Sequence, residues 1–195
     1  MNTKTLTLII VFAALTVALN PGVVPATGFP APYAPFLIYG LWEIPIVAAF
    51  ILISPASAVI ISFLNSLVLF AFFPGYLPTG PFYNLIAILS MLLGLYIARR
   101  FITAEGTHQR KVIKIAAAST ILGIILRVAV MTVVNYITLQ QPYPIGFELD
   151  ELVVLVTYLP SAAIFNATVV MYTVPIGEFI ANGVKSRLKL ETLNV

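Results

Sequence analysis

Six long apolar runs dictate what this chain can fold into: Leu6–Asn20, Phe36–Ile53, Ala56–Phe73, Phe82–Ala98, Val112–Ile137 and Leu152–Val174. An α-helix rises 1.5 Å per residue, so an eighteen-residue run spans about 27 Å, close to the hydrocarbon thickness of a bilayer. Backbone polar groups in lipid must be satisfied internally, which leaves helices or a closed barrel. The runs lack the strict apolar/polar alternation of barrel strands, so helices are expected. Composition agrees: 61% of the 195 residues are hydrophobic and 9% charged, too little polar surface for a soluble domain of this size. The expectation is an all-α integral membrane protein, a single transmembrane domain over residues 1–195 with six helices at about 6–20, 36–53, 56–73, 82–98, 112–137 and 152–174.

The basic residues set an orientation. Lys4 precedes the first run; Arg99, Arg100, Arg110, Lys111 and Lys114 flank the fourth connection; Lys185, Arg187 and Lys189 form the tail. All nine fall on one side of a six-helix arrangement, and Arg127 lies within the fifth run. The positive-inside rule then puts the N- and C-termini in the cytoplasm. Topology and anionic lipid therefore account for the net charge of +3 without nucleic acid. The first run also has the outline of a signal peptide, but Thr16-Val17-Ala18-Leu19-Asn20 is a poor cleavage site, and a membrane helix is expected there.

Prolines collect on the opposite side. Pro21, Pro25, Pro30, Pro32 and Pro35, then Pro74, Pro78 and Pro81, then Pro142 and Pro144 fall in the three outward connections. With Phe29, Tyr33, Tyr76 and Tyr143 among them, these connections are expected to be semi-rigid lids over an outward cavity. Beneath them lie polar residues that lipid should exclude. Glu43 is expected about two turns into helix two. Asn65 lies at similar depth in helix three, and Tyr83-Asn84 open helix four. Arg127, Met131 and Asn135 recur every four residues and share a face of helix five, as Tyr158, Ala162 and Asn166 do in helix six, where Pro160 can bend the stripe. An intramembrane ion costs about 2.5–3.5 kcal/mol on insertion scales. Glu43 and Arg127 therefore form an ion pair or contact a ligand, and Asn65 and Asn166 make interhelical hydrogen bonds or ligand contacts. The cluster as a whole reads as an outward-facing binding pocket.

Several chemistries are excluded or disfavoured. There is no cysteine, and the single histidine, His108, sits in the basic connection, so no metal centre built on Cys or His is available. No phosphate-binding glycine loop is present, so the chain does not hydrolyse nucleotide itself. Glu148, Asp150 and Glu151 are expected at a solvated helix N-terminus rather than on a metal. No nucleophile–base set marks an enzyme, and no resident cofactor is expected. Ala14 and Ala18, one turn apart in the first run, allow close approach of another helix; Gly177 and Gly183 carry little information.

Four stretches resemble the substrate-binding S components of energy-coupling factor (ECF) vitamin transporters, most closely the riboflavin-binding group. They are Glu43-Ile44-Pro45 with Ser54-Pro55 and Ser62-Phe63-Leu64-Asn65; Gly80-Pro81-Phe82-Tyr83-Asn84 with Ser90-Met91 and Arg99-Arg100; Met131-Thr132-Val133-Val134-Asn135-Tyr136 with Pro142-Tyr143; and Tyr158-Leu159-Pro160 with Phe165-Asn166. The chain departs from the family pattern in the sixth helix, where Val169 or a neighbour replaces a lysine. Arg127 is the candidate cation in its place. The resemblance implies a multi-pass subunit of a prokaryotic plasma membrane that captures riboflavin or a related vitamin at the extracellular face. Its partners would be a transmembrane T component, met through Ala14 and Ala18, and two cytoplasmic ATPases. Site candidates are Glu43, Asn84, Arg127, Asn135 and Asn166 for polar contacts, with Tyr39, Tyr83 and Met131 as walls. The alternatives are an S component for a thiamine-related compound, folate or a queuosine precursor, and a structural membrane subunit whose polar cluster only locks helices together.

Overall fold

The computed structural model describes residues 3–73, 75–101 and 108–188. Pro74 and Lys189, named above, lie outside them. Helix α1 (Thr3–Ala18) leads through a 3₁₀ turn at Pro25–Thr27 into a hairpin of β1 (Gly28–Ala31) and β2 (Ala34–Gly40). Helices α2 (Glu43–Leu52), α3 (Pro55–Phe72), α4 (Gly80–Phe101) and α5 (His108–Leu139) follow. The chain ends in a short α6 (Glu151–Val153) that runs through a π turn (Val154–Tyr158) into α7 (Leu159–Leu188).

The expected helix over 36–53 is corrected by this structure. Its first part is strand β2, and the helix starts only at Glu43. A short apolar run such as Phe36–Tyr39 fits strand and helix alike, and its surroundings decide. β1 offers an antiparallel partner, pairing Gly28 with Gly40 and Phe29 with Tyr39. Pro21 packs against this end of the hairpin so closely that a Cβ on Gly28 or Gly40 would come within 2.7 Å of its ring. Tyr39 is therefore a strand residue, and Glu43 stands in the first turn of α2 rather than two turns into a longer helix.

Among the described residues, four segments are long and apolar enough to cross a membrane: Pro55–Phe72, Gly80–Phe101, Arg110–Leu139 and Glu151–Arg187. α1, with 16 residues, and α2, with 10, are shorter apolar helices. α2 is the hub of the bundle. Every residue from Glu43 to Phe50 is buried, as expected of a helix that is apolar almost all round. Ile46 and Val47 pack into a core with Ile61, Ile88, Met91, Leu95, Val170 and Val174.

Two glycines set helix spacing. A Cβ on Gly94 would lie 2.6 Å from the Gly123 nitrogen and the Leu122 oxygen, so α4 and α5 touch backbone to backbone. A Cβ on Gly177 would lie 2.6 Å from Val47 Cγ1, which makes this residue the contact of α7 with α2. Gly177 thus carries more than its sequence context implies, while Gly183 has open space around it.

Candidate functional site

The bend in the last helix builds one wall of the site. Proline has no N–H to donate, so Pro160 leaves the helical ladder one bond short. The chain widens into the π turn at Val154–Tyr158 just before it, a common answer to an interrupted ladder. From the last residue of the turn onward, Tyr158, Ala162 and Asn166 share one face, and all three line a cavity of about 640 Å³. Asp150 caps the entry to this segment, its carboxylate accepting from the Leu152 N–H at 2.9 Å. Glu151 accepts the Tyr136 hydroxyl at 2.6 Å. Asp150 thus serves the helix terminus and Glu151 ties it to α5, and among the described residues no group of three or more His, Asp or Glu could hold a metal.

α5 supplies the facing stripe, with Arg127, Met131 and Asn135 on the cavity wall. α4 contributes Tyr83 and Asn84, β2 contributes Phe36 and Leu37, and the connections add Tyr76, Leu77, Phe147 and Leu149. A smaller chamber of about 390 Å³ shares Phe36, Asn84, Arg127 and Phe165 with it and extends to Asn20, Trp42, Glu43 and Tyr172. The two chambers are therefore contiguous.

The connections over the cavity are tied to α4. Thr79 Oγ1 donates to the Pro144 carbonyl at 2.7 Å, and the Tyr83 hydroxyl donates to the Ile145 carbonyl at 2.6 Å. The Tyr76 and Phe147 rings stack with centroids 6.0 Å apart. The hairpin is anchored from below, where the Tyr172 hydroxyl donates to the Gly40 carbonyl at 2.7 Å. Tyr33 and Tyr39 share a hydroxyl–hydroxyl bond of 2.6 Å. Desolvation and that bond push the Tyr33 phenol up to about 12, so it stays neutral at ordinary pH. These contacts tie the outer connections to the bundle, while Tyr143 is exposed and takes no part in the wall.

Beneath the aromatic wall lies the buried ion pair. Arg127 and Glu43 are 3% and 2% exposed. Arg127 Nη2 donates to Glu43 Oε1 at 2.8 Å, and Nη1 donates to Oε2. Nη1 also meets Met91 Sδ at 3.8 Å, and Nε donates to Asn166 Oδ1 at 2.8 Å. Asn166 in turn donates to the Ala162 carbonyl at 2.8 Å. A guanidinium has five N–H groups. Four are engaged, which leaves one Nη2 proton uncommitted among the described residues.

Asn84 and Asn135 differ from Asn166. Both line the cavity, Asn84 exposed within it and Asn135 half-buried, and neither makes a side-chain hydrogen bond among the described residues. Asn65 lies away from the cavity and accepts from Asn20 Nδ2 at 3.4 Å, joining the segment that follows α1 to α3. Tyr39 is buried and stacks on Phe165, ring centroids 4.8 Å apart, and Phe165 lines the cavity. Phe36, Tyr76, Phe147 and Phe165 complete the aromatic lining. Their signal in the sequence was only proximity to proline and to the polar stripe.

The basic residues stand at the other end of the bundle. Asn84 lies near the start of α4 and Arg99 in its last turn, fifteen residues or about 22 Å further along. Arg110 lies in the first turn of the helix whose far end carries Asn135, and Lys185 in the last turn of the one that begins beside Tyr158. At that basic end Arg99 and Glu178 form a second ion pair, unforeseen from sequence, which links α4 to α7. Ala14 and Ala18 are exposed on α1, while Ile9, Thr16 and Asn20 face inward.

No family model and no curated protein matches the chain. A solved structure of the S component of a bacterial ECF transporter superposes with a TM-score of 0.74 at 20% sequence identity, covering 97% of this chain and 100% of that one. The chain therefore has the fold of an ECF-transporter S component.

Proposed function

We propose that this chain is the membrane-embedded substrate-capture subunit of an ECF-type ABC transporter, binding riboflavin or a related flat heteroaromatic vitamin at the extracellular face for ATP-driven uptake. One observation carries the reading: Asn84 and Asn135 line the aromatic cavity and make no side-chain hydrogen bond among the described residues. Amides converging on a concave, mostly apolar site serve as ligand-reading groups. Each amide donates and accepts, which matches a ring edge carrying both N–H and C=O groups. Tyr83 and Met131 flank that edge, while Arg127 offers its remaining proton and Asn166 holds Arg127 in place.

The charge distribution supports an outward cavity, because the basic ends of α4, α5 and α7 belong in the cytoplasm by the positive-inside rule. In this reading α1 and α2 complete six membrane-embedded helices of one domain in a prokaryotic plasma membrane, with both termini inside. Exposed Ala14 and Ala18 support α1 as the face that meets the T component, through which two cytoplasmic ATPases act.

Binding to the purified protein tests the pocket. Titrated with riboflavin, Asn84→Ala and Asn135→Ala each weaken binding about tenfold, the scale of one hydrogen bond lost from a desolvated site. Unchanged affinity in both variants would contradict the proposed pocket.

A further inference from the structure

The two chambers together hold a single pair of charged side chains. Among the described lining residues only Arg127 and Glu43 are a basic and an acidic side chain, and they face each other through two contacts. The guanidinium is also held by Asn166 and Met91, which leaves it a single uncommitted Nη2 proton. It cannot swing to meet an anion without leaving Glu43 buried and unpaired. Glu43 is held equally and cannot meet a cation without stranding Arg127. The remaining lining is aromatic, aliphatic or neutral amide.

We infer that the cavity selects an electrically neutral ligand, with the Glu43–Arg127 pair acting as an internally compensated donor platform rather than as a counter-ion. This rests on the capture reading above and narrows its substrate class. A charged ligand would leave water for a low-dielectric cavity with no opposite charge to meet it, a transfer that stays unfavourable unless the ion is paired. The mouth adds a bias of its own, since Glu148 and Asp150 are exposed beside Phe147 and Leu149 on the cavity wall. They repel anions there, weakly, because solvent and salt screen them. The inference separates vitamins that fold similarity leaves together: riboflavin is neutral, thiamine is a cation, and folate and riboflavin 5′-phosphate are anions.

The test is a four-ligand titration of the full-length protein in detergent, followed through Trp42, which lines the smaller chamber. The wild-type chain binds riboflavin, with riboflavin 5′-phosphate, thiamine and folate each weaker by at least about 100-fold, the scale of an unpaired buried charge. Glu43→Gln leaves Arg127 uncompensated, and the affinity of the 5′-phosphate relative to riboflavin rises at least about tenfold. The wild-type panel decides even where the variant fails to fold. A charged vitamin bound as tightly as riboflavin overturns the inference and leaves the capture reading standing. No binding by any of the four, with no compound released from the purified protein, overturns both.

Discussion

Glu43→Ala lowers the stability of the detergent-purified protein by about 3–5 kcal/mol, the cost of leaving a buried charge without its partner. Arg127 would remain 3% exposed with Asn166 and Met91 as its only other contacts, neither of which carries charge. Glu43 stands in the first turn of α2, which packs into the core along its whole length, so the loss propagates to the centre of the bundle. Arg127→Met is expected to cost as much. The paired change Glu43→Met with Arg127→Met removes both ions together and recovers most of the loss, because apolar replacement of a buried pair is often neutral or better. A double-mutant cycle on thermal midpoints, with ligand absent, measures the coupling. Additive single losses would mean that the pair is not coupled as the geometry requires. The double variant should still fold yet bind riboflavin weakly, because it lacks the remaining Nη2 donor.

Gly94→Leu has the second large effect. The α4 and α5 backbones meet at this residue, with 2.6 Å between a Cβ and the Gly123 nitrogen. Backbone cannot rotate aside as a side chain can, so the helices must separate. Gly94→Ala is expected to cost about 1–3 kcal/mol from overpacking, and Gly94→Leu more. The same helices carry Asn84 and Asn135, so parting them also widens the cavity. Gly183→Ala is the matched control. It has open space around it and lies in a helix, where alanine is favoured over glycine by about 0.5–1 kcal/mol. Thermal unfolding of the three variants side by side would contradict the close contact if Gly94→Ala behaved like Gly183→Ala.

The parts of the site that follow helical periodicity were legible in the sequence. Arg127, Met131 and Asn135 recur every four residues, and a helix of 3.6 residues per turn must place them together. The Tyr158, Ala162 and Asn166 stripe survived because the π turn ends at Tyr158 and the helix from Leu159 onward is regular. The strand over Ala34–Gly40 was not legible. Its apolar residues continue into those of α2, and only the pairing with Gly28–Ala31 tells them apart. That misreading put Tyr39 on a helix and Glu43 too deep within one. Tertiary contacts between distant segments were equally silent. Nothing local to Gly94, Gly177 or Glu178 announces a backbone contact, a helix crossing or the ion pair with Arg99. The pairing of Glu43 with Arg127 was inferable only because lipid makes an isolated ion so costly.

Capture of a flat heterocyclic vitamin by this cavity is read from the absorption spectrum of the protein purified in mild detergent, with bound compounds then released and identified by mass spectrometry. A flavin-type spectrum is expected, with one riboflavin, or one closely related neutral heterocycle, released per chain. A colourless protein that releases nothing and binds no added vitamin would contradict it, and would leave the polar cluster as a device for holding the helices together.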